Sequence, residues 1–250
     1  MNTSIVSIRT KITFLVIFSI AMGFLEAAVV VYLRQLYYPE GFAFPLRFMA
    51  IEELSVEYLR EVSTIIMLVS LGIVSGRNFY ERLSYFFLCF GVWDIFYYVW
   101  LKALLNWPPS FLTWDILFLI PVVWAGPVLA PIICASTMIM ISGCILSVQM
   151  KGPVRITFFE WGLLCLGSFL IFITFIWDYS KISIQKFFIS RLLISRTDPY
   201  FQKIVAHYIP TDYLWSLFLT GESFILCFLV IVLTRTRVQK IVCPEVRTHY

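Results

Sequence analysis

Six stretches of this chain are apolar for long enough, or almost long enough, to cross a lipid bilayer. A spanning helix needs about 20 mostly apolar residues, because each residue advances the helix axis by about 1.5 Å. The six stretches are Ile12–Leu33, Val62–Gly76, Leu83–Leu105, Leu112–Val148, Thr157–Trp177 and Tyr213–Leu233. This pattern predicts a chain that is surrounded by lipid along most of its length.

The composition leads to the same expectation. Of 250 residues, 60% are hydrophobic and 14% are charged, whereas a soluble domain carries about 25% charged residues. So few charges exclude a disordered chain, a nucleic-acid-binding domain and an ordinary cytosolic enzyme. We therefore predict an all-α, polytopic transmembrane helix bundle that forms one integral-membrane domain over residues 1–250. Its expected partner is the lipid bilayer, with no nucleic acid.

The second stretch is short for a span, but the residues before it extend the pattern. Residues 51–61 are amphipathic, with Ile51, Leu54 and Tyr58 on one side and glutamates on the other. We expect this part to continue the same helix out of the membrane or along its surface.

The fourth stretch contains prolines at positions 121, 127 and 131, which interrupt helices. A break at Gly126-Pro127 leaves about 15 residues in front of it, too few to cross a bilayer comfortably. We predict a proline-broken or re-entrant segment near residues 113–131, with Thr113 or Asp115 capping a helix start, followed by one full span. This interpretation makes about six spans, and seven is the alternative.

The ends and loops suggest an orientation. Both termini carry basic residues close to a span, which favours two cytoplasmic termini. The first span has no small-residue cleavage site after a short apolar core and is expected to be uncleaved. Short loops suit a prokaryotic cytoplasmic (inner) membrane. Residues 182–195 interleave aromatic and basic side chains and predict a helix lying in the membrane interface.

The sulfur and imidazole groups give no indication of a metal centre. Five of the six cysteines lie inside apolar stretches and are interpreted as small buried hydrophobic residues. The chain has no CxxC pair, and His207 and His249 are far apart. We expect no metal site and no cofactor.

A charged residue inside a span costs roughly 2.5–3.5 kcal/mol on insertion, so each one requires an explanation. Glu26, Asp94 and Glu222 lie well inside the predicted spans. Asp94, Tyr98 and Lys102 recur every four residues and share one helix face. Few buried bases are available to neutralise the three deep carboxylates.

The first span combines a carboxylate with small residues. Ser19, Gly23 and Ala27 form a stripe that lets another helix come close. Glu26 lies beside this stripe and should face protein, and Arg34 ends the same broad face, so the two are expected to share a partner on another span. The candidate polar intramembrane site comprises Glu26, Asp94, Tyr98, Lys102, Asp115 and Glu222, with no catalytic residue assigned.

These residues support three functional hypotheses. The first is a small transporter or channel-like protein for protons, cations or a small polar solute. The alternative is a structural or accessory subunit that packs on a membrane-protein partner or on further copies of itself, in which case the polar residues lock helix packing. The third is an intramembrane enzyme acting on a lipid, although the usual metal and phosphate motifs are missing. Convergence of the polar residues on one cavity would favour the first hypothesis.

Overall fold

The computed structural model of the chain describes residues 2–44, 47, 51–150, 152, 155–193, 209–210 and 212–242. Within these ranges six helices are long and apolar enough to cross a membrane, at Ile8–Tyr37, Glu52–Ser75, Phe79–Leu105, Leu129–Gln149, Phe158–Asp178 and Trp215–Arg235. The prediction of an all-α bundle with six spans is confirmed.

The six helices and one small sheet follow each other along the chain. They are α1 (Asn2–Tyr37), α2 (Ile51–Ser75), α3 (Phe79–Leu105), β1 (Trp114–Phe118), β2 (Trp124–Pro127), α4 (Leu129–Gln149), α5 (Phe158–Leu193) and α6 (Trp215–Val242). Helix α3 packs against α1, α2 and α4, while α5 and α6 form a pair that α4 joins to the rest. Helix α2 begins at residue 51, so the amphipathic stretch continues the second span as predicted.

Two helix ends show why the sequence folds this way locally. Helix α3 begins after Asn78, whose side chain accepts a hydrogen bond from the Glu81 backbone N–H at 3.1 Å, and it ends at Asn106, which adopts the left-handed conformation with φ 52°. Helix α5 begins with a reciprocal capping box, in which Thr157 and Glu160 each accept a hydrogen bond from the backbone N–H of the other.

Small residues set the distance between α1 and its neighbour. A Cβ atom at Gly23 would lie 3.0 Å from the Trp93 carbonyl oxygen of α3, and Ser19 and Ala27 are fully buried. The predicted small-residue stripe therefore faces α3, as expected for closely packed membrane helices. On α2, a Cβ at Gly72 would lie 2.8 Å from the Arg82 carbonyl oxygen, so this glycine also marks a close helix contact.

The proline-rich segment is non-helical, as predicted, but it forms a β-hairpin. Strands β1 and β2 pair antiparallel, with Trp114 opposite Pro127 and Phe118 opposite Trp124. The expectation that Thr113 or Asp115 caps a helix start is wrong, because Asp115 lies within β1 opposite Gly126. A hairpin suits this position because its strands satisfy each other's backbone groups, which a broken helix would leave unpaired.

The interfacial-helix prediction is met in its secondary structure. Residues 182–193 are helical and continue α5 without a break, and residues 194 and 195 lie outside the described residues. Their position relative to a membrane interface stays a prediction.

The interpretation of the cysteines holds only in part. Cys89 and Cys144 are buried and Cys134 is half-buried, whereas Cys165 and Cys227 are exposed on the bundle surface. The prediction that Cys165 and Cys227 are buried is wrong. The sequence of an apolar stretch does not indicate which helix face contacts lipid and which contacts protein. Cys243 lies outside the described residues.

The tightest crossing in the second half of the chain gives a test of the packing. A Cβ at Gly167 of α5 would lie 2.6 Å from the Gly221 carbonyl oxygen of α6, whereas a Cβ at Gly162 of the same helix meets nothing within 4 Å. We expect Gly167→Ala to lower the free energy of unfolding by about 1–3 kcal/mol through overpacking. Gly162→Ala should be neutral or stabilising by up to about 1 kcal/mol.

Thermal unfolding of both variants in the same detergent measures this difference. Equal melting temperatures for Gly167→Ala and Gly162→Ala would contradict the close α5–α6 crossing.

Candidate functional site

A cavity of about 750 Å³ lies inside the bundle, lined by all six helices and by the hairpin. Five of the six residues that sequence analysis selected line it, namely Glu26, Asp94, Tyr98, Asp115 and Glu222. They come from α1, α3, β1 and α6, which are far apart in sequence. The structure thus brings most of the candidate polar residues to one space.

Lys102 is the selected residue that does not line the cavity. It lies at the exposed C-terminal end of α3, where its Nζ donates to the carbonyl oxygens of Asn106 at 3.3 Å and Pro108 at 3.0 Å. A lysine at a helix C-terminus stabilises the last carbonyl groups and the negative end of the helix dipole. Its spacing from Asp94 and Tyr98 was therefore misleading, because two helical turns carry it past the end of the cavity.

The cavity occupies the half of the bundle nearer to the hairpin. In α4 the lining extends from Pro131 only to Ile141, so the eight residues from there to Gln149, or about 12 Å of helix, lie beyond it. In α2 the lining stops at Thr64, far short of Ser75. At the other end, the exposed residues Arg47 and Leu54 line the cavity, so it reaches the surface there.

Helix α2 supplies a base that sequence analysis did not select. Arg60 forms ion pairs with Glu26 of α1 and, through its Nε, with Glu57 at 2.8 Å. The expectation that few buried bases would neutralise the deep carboxylates is therefore wrong for Glu26. The i, i+3 spacing of Glu57 and Arg60 was a signal, but both residues lie in the stretch that was expected to leave the membrane.

A second ion pair connects α1 to the hairpin. Arg34 Nη2 lies 3.2 Å from Asp115 Oδ1, and both side chains are more than nine-tenths buried. The guanidinium carbon of Arg34 also lies 3.8 Å from the centre of the Trp107 ring and 4.6 Å from that of Phe42. Aromatic faces stabilise a cation at such distances, most strongly where water is excluded. Arg34 and Glu26 thus have different partners, contrary to the expectation that they share one.

The charge on the Asp115 carboxyl changes within the pH range in which unfolding experiments are done. Burial raises the pKa of the Asp115 carboxyl to about 6, although the Arg34 guanidinium opposes this shift. The Tyr98 phenol interacts with the same carboxyl group. Because a carboxyl group is half protonated at its pKa, the Arg34–Asp115 pair is fully ionised only well above that pH.

The tip of the hairpin is attached to α2. Glu61 Oε2 accepts a hydrogen bond from the Leu119 backbone N–H at 2.8 Å. Together with the Arg34–Asp115 pair, this bond connects the hairpin to the first two helices. No residue pattern in the sequence reveals the role of Glu61, because its partner is a backbone group.

Two deep carboxylates have no basic partner in the part of the chain that the structure describes. Glu222 Oε2 accepts a hydrogen bond from Thr137 Oγ1 of α4 at 2.9 Å, and its buried Oε1 has no partner there. The Asp94 side chain forms no hydrogen bond or ion pair within the same residues, although it is half-buried in the cavity wall. The Cys134 thiol interacts with Glu222 through a side-chain hydrogen bond and lies within electrostatic range of Asp94, which places both carboxylates in one region.

Aromatic rings form the wall around this region. Phe118 of β1 and Trp124 of β2 are 5.8 Å apart between ring centres, and Trp124 is 5.0 Å from Phe172 of α5. Trp93 of α3 lies 6.2 Å from Phe118 on the other side. All four rings line the cavity. The deep part of the cavity is therefore lined by two carboxyl groups and by aromatic rings.

Within the described ranges, no group of three or more histidine, cysteine, aspartate or glutamate side chains is arranged to hold a metal ion. Comparisons with protein-family models, curated proteins and solved structures gave no match. The fold and the site themselves define the class, which is that of a multi-pass integral membrane protein with a largely apolar cavity inside its helix bundle that contains several carboxyl groups.

The buried ion pair between α1 and the hairpin predicts a large effect on stability. Arg34→Met leaves the Asp115 carboxylate buried without its guanidinium, and we expect a loss of about 3 kcal/mol in the free energy of unfolding at pH 8. Arg34→Met/Asp115→Leu, which removes both charges, should recover at least half of that loss. Denaturant unfolding in mixed micelles, followed by tryptophan fluorescence, measures both values.

The matched control is the more exposed Lys181–Asp178 pair, in which the Lys181 side chain is 52% exposed. Lys181→Met should cost less than about 1 kcal/mol. Equal losses for the single and double Arg34 variants would show that the charge pairing itself contributes little.

Proposed function

We propose that this protein is a small transporter that binds a proton, a cation or a small polar solute in the cavity of the bundle. The observation that carries the proposal is the convergence of Glu26, Asp94, Asp115 and Glu222 on one cavity, from four separate elements. Charged residues inside a membrane bundle commonly mark the path of a substrate or an ion.

The alternative, that these groups only lock helix packing, explains part of the arrangement. Arg60 and Arg34 neutralise Glu26 and Asp115, and such pairs are structural in many proteins. Packing does not explain an empty space of about 750 Å³ beside them, nor Asp94, which has no polar side-chain partner among the described residues. Tightly packed interiors contain few voids larger than a water molecule.

The one-sided position of the cavity also supports transport. A carrier exposes a site near the middle of the membrane to one side at a time. Here the lining reaches the surface at Arg47 and Leu54 but stops about 12 Å short of the opposite end of α4. In this proposal the structure corresponds to a state that is open on the hairpin side.

We further propose a prokaryotic cytoplasmic membrane with both termini in the cytoplasm, which places the hairpin and the cavity entrance on the outer side. Basic residues near both chain ends support this orientation. A green fluorescent protein fused to the C-terminus should fluoresce, and alkaline phosphatase fused there should be inactive. Active phosphatase at that position would reverse the orientation.

Flux through reconstituted protein tests the transport proposal. Purified full-length protein in liposomes should move protons, Na⁺, K⁺ or an organic cation faster than empty liposomes do. Asp94→Asn should lower the initial rate at least about tenfold, because it removes the charge of a group with no other described partner. Dye-loaded liposomes and radiolabelled uptake measure these rates.

Lys102→Gln provides the matched control, since Lys102 is a charged residue of the same helix that lies outside the cavity. It should retain the rate of the unmodified protein. A flux equal to that of empty liposomes for all four kinds of solute would contradict proton and cation transport and favour an accessory subunit.

A further inference from the structure

In the part of the chain that the structure describes, basic residues line only one side of the cavity, where the acids Glu26, Glu57 and Glu61 accompany them. Its three bases are Arg34, Arg47 and Arg60, which belong to α1, α2 and the segment between them. The described lining of α3 to α6 and of the hairpin contains the acids Asp94, Asp115 and Glu222 and no lysine or arginine. The side of the cavity formed by these later elements is consequently the acidic one.

Most of the remaining charge is already neutralised. Arg60 pairs with Glu26 and Glu57, and Arg34 pairs with Asp115. Three lining acids are left without a cation in the described part of the chain. Glu61 accepts a hydrogen bond from the Leu119 backbone N–H, whereas Asp94 and Glu222 have neither a cation nor a backbone donor there, and Glu222 is 5% exposed. A buried carboxylate without a partner is costly, so a positively charged ligand would stabilise this region.

The surroundings disfavour a small inorganic ion as that ligand. Such cations need several oxygen ligands to replace their hydration shell. Thr137 hydrogen-bonds to Glu222, and Tyr98 and Asp115 lie within electrostatic range of Asp94, but no group of three or more histidine, cysteine, aspartate or glutamate side chains in the described ranges is arranged to hold a metal ion. Much of the remaining wall is aromatic. Aromatic faces instead favour a cation whose charge lies on a weakly hydrated, apolar body.

The size of the cavity agrees with an organic ligand. Sites for molecules of drug size have volumes of about 300–1,000 Å³ and combine apolar walls with a few polar groups. The cavity here has about 750 Å³. Trp93, Phe118, Trp124 and Phe172 provide the apolar walls, and the two carboxylates provide the polar groups.

We infer that this cavity binds a hydrophobic organic cation, such as a quaternary ammonium or phosphonium compound, with its charge between Asp94 and Glu222 and its apolar body against the aromatic wall. The inference rests on the proposed transport function and names the substrate class for the same cavity. Two of the three bases, Arg34 and Arg60, are paired with carboxylates, so they repel a cationic ligand less than free cations would.

Two probes of the same shape and opposite charge test the inference, namely tetraphenylphosphonium and tetraphenylborate. Equilibrium dialysis of each radiolabelled probe against the detergent-purified full-length protein measures binding, with empty micelles as the baseline. We expect saturable binding of tetraphenylphosphonium, weakened at least about tenfold by Asp94→Asn and by Glu222→Gln. Lys102→Gln should leave the affinity unchanged.

The Asp94→Glu variant distinguishes loss of the charge from loss of the fold. It keeps a carboxylate, so it should retain the binding that Asp94→Asn loses. Size-exclusion profiles and melting temperatures show that each variant is folded. Tetraphenylborate is an anion, so the removal of a carboxylate should not weaken its binding. We therefore expect it to bind no better to the unmodified protein than to the Asn and Gln variants.

The inference is overturned if tetraphenylphosphonium binds no more than to empty micelles, or equally to the unmodified protein and to folded Asp94→Asn/Glu222→Gln. Liposome flux separates this failure from that of the proposed function. Asp94-dependent proton or Na⁺ flux without tetraphenylphosphonium binding leaves transport standing and removes the organic-cation assignment. Saturable, carboxylate-dependent binding without flux of any solute supports the ligand class and contradicts transport.

Discussion

Inside a bilayer, every charge and every backbone polar group has to find its partner within the protein, because lipid offers none. This constraint explains the six helices, which satisfy their own backbone, and the hairpin, whose two strands satisfy each other. It also explains why Arg60 lies against Glu26 and Arg34 against Asp115. Asp94 and Glu222 have no base in the described ranges, and they are therefore the residues that point to a ligand.

The bundle combines tight and open regions. Glycines at positions 23, 91, 167 and 221 allow backbones to approach so closely that a Cβ atom there would lie 2.5–3.0 Å from a carbonyl oxygen of the next helix. Nearer to the hairpin, the six helices and the hairpin together enclose the cavity. Such a contrast suits a protein in which one part of the bundle is rigid while another accommodates a ligand.

Much of the fold was predictable, and so were several members of the site. Length and apolarity revealed the spans, and the cost of a buried charge singled out Glu26, Asp94 and Glu222. Arg60 and Glu61 escaped selection because they lie in a polar stretch that a sequence places at the membrane surface, and only packing shows that they face inward. Lys102 was selected because of its spacing, although that face of α3 leaves the cavity before it reaches Lys102.

The sequence by itself determined that the chain crosses a membrane and which of its charges are unusual there, because both follow from the transfer of side chains into lipid. Tertiary structure alone decided which charges meet. Arg34 lies 81 residues from Asp115 along the chain and Thr137 lies 85 residues from Glu222, yet each pair is in contact. Helix packing sets such distances, and local periodicity carries no information about them. The difference between a neutral ion pair and an unpartnered carboxylate was therefore visible only in the folded bundle.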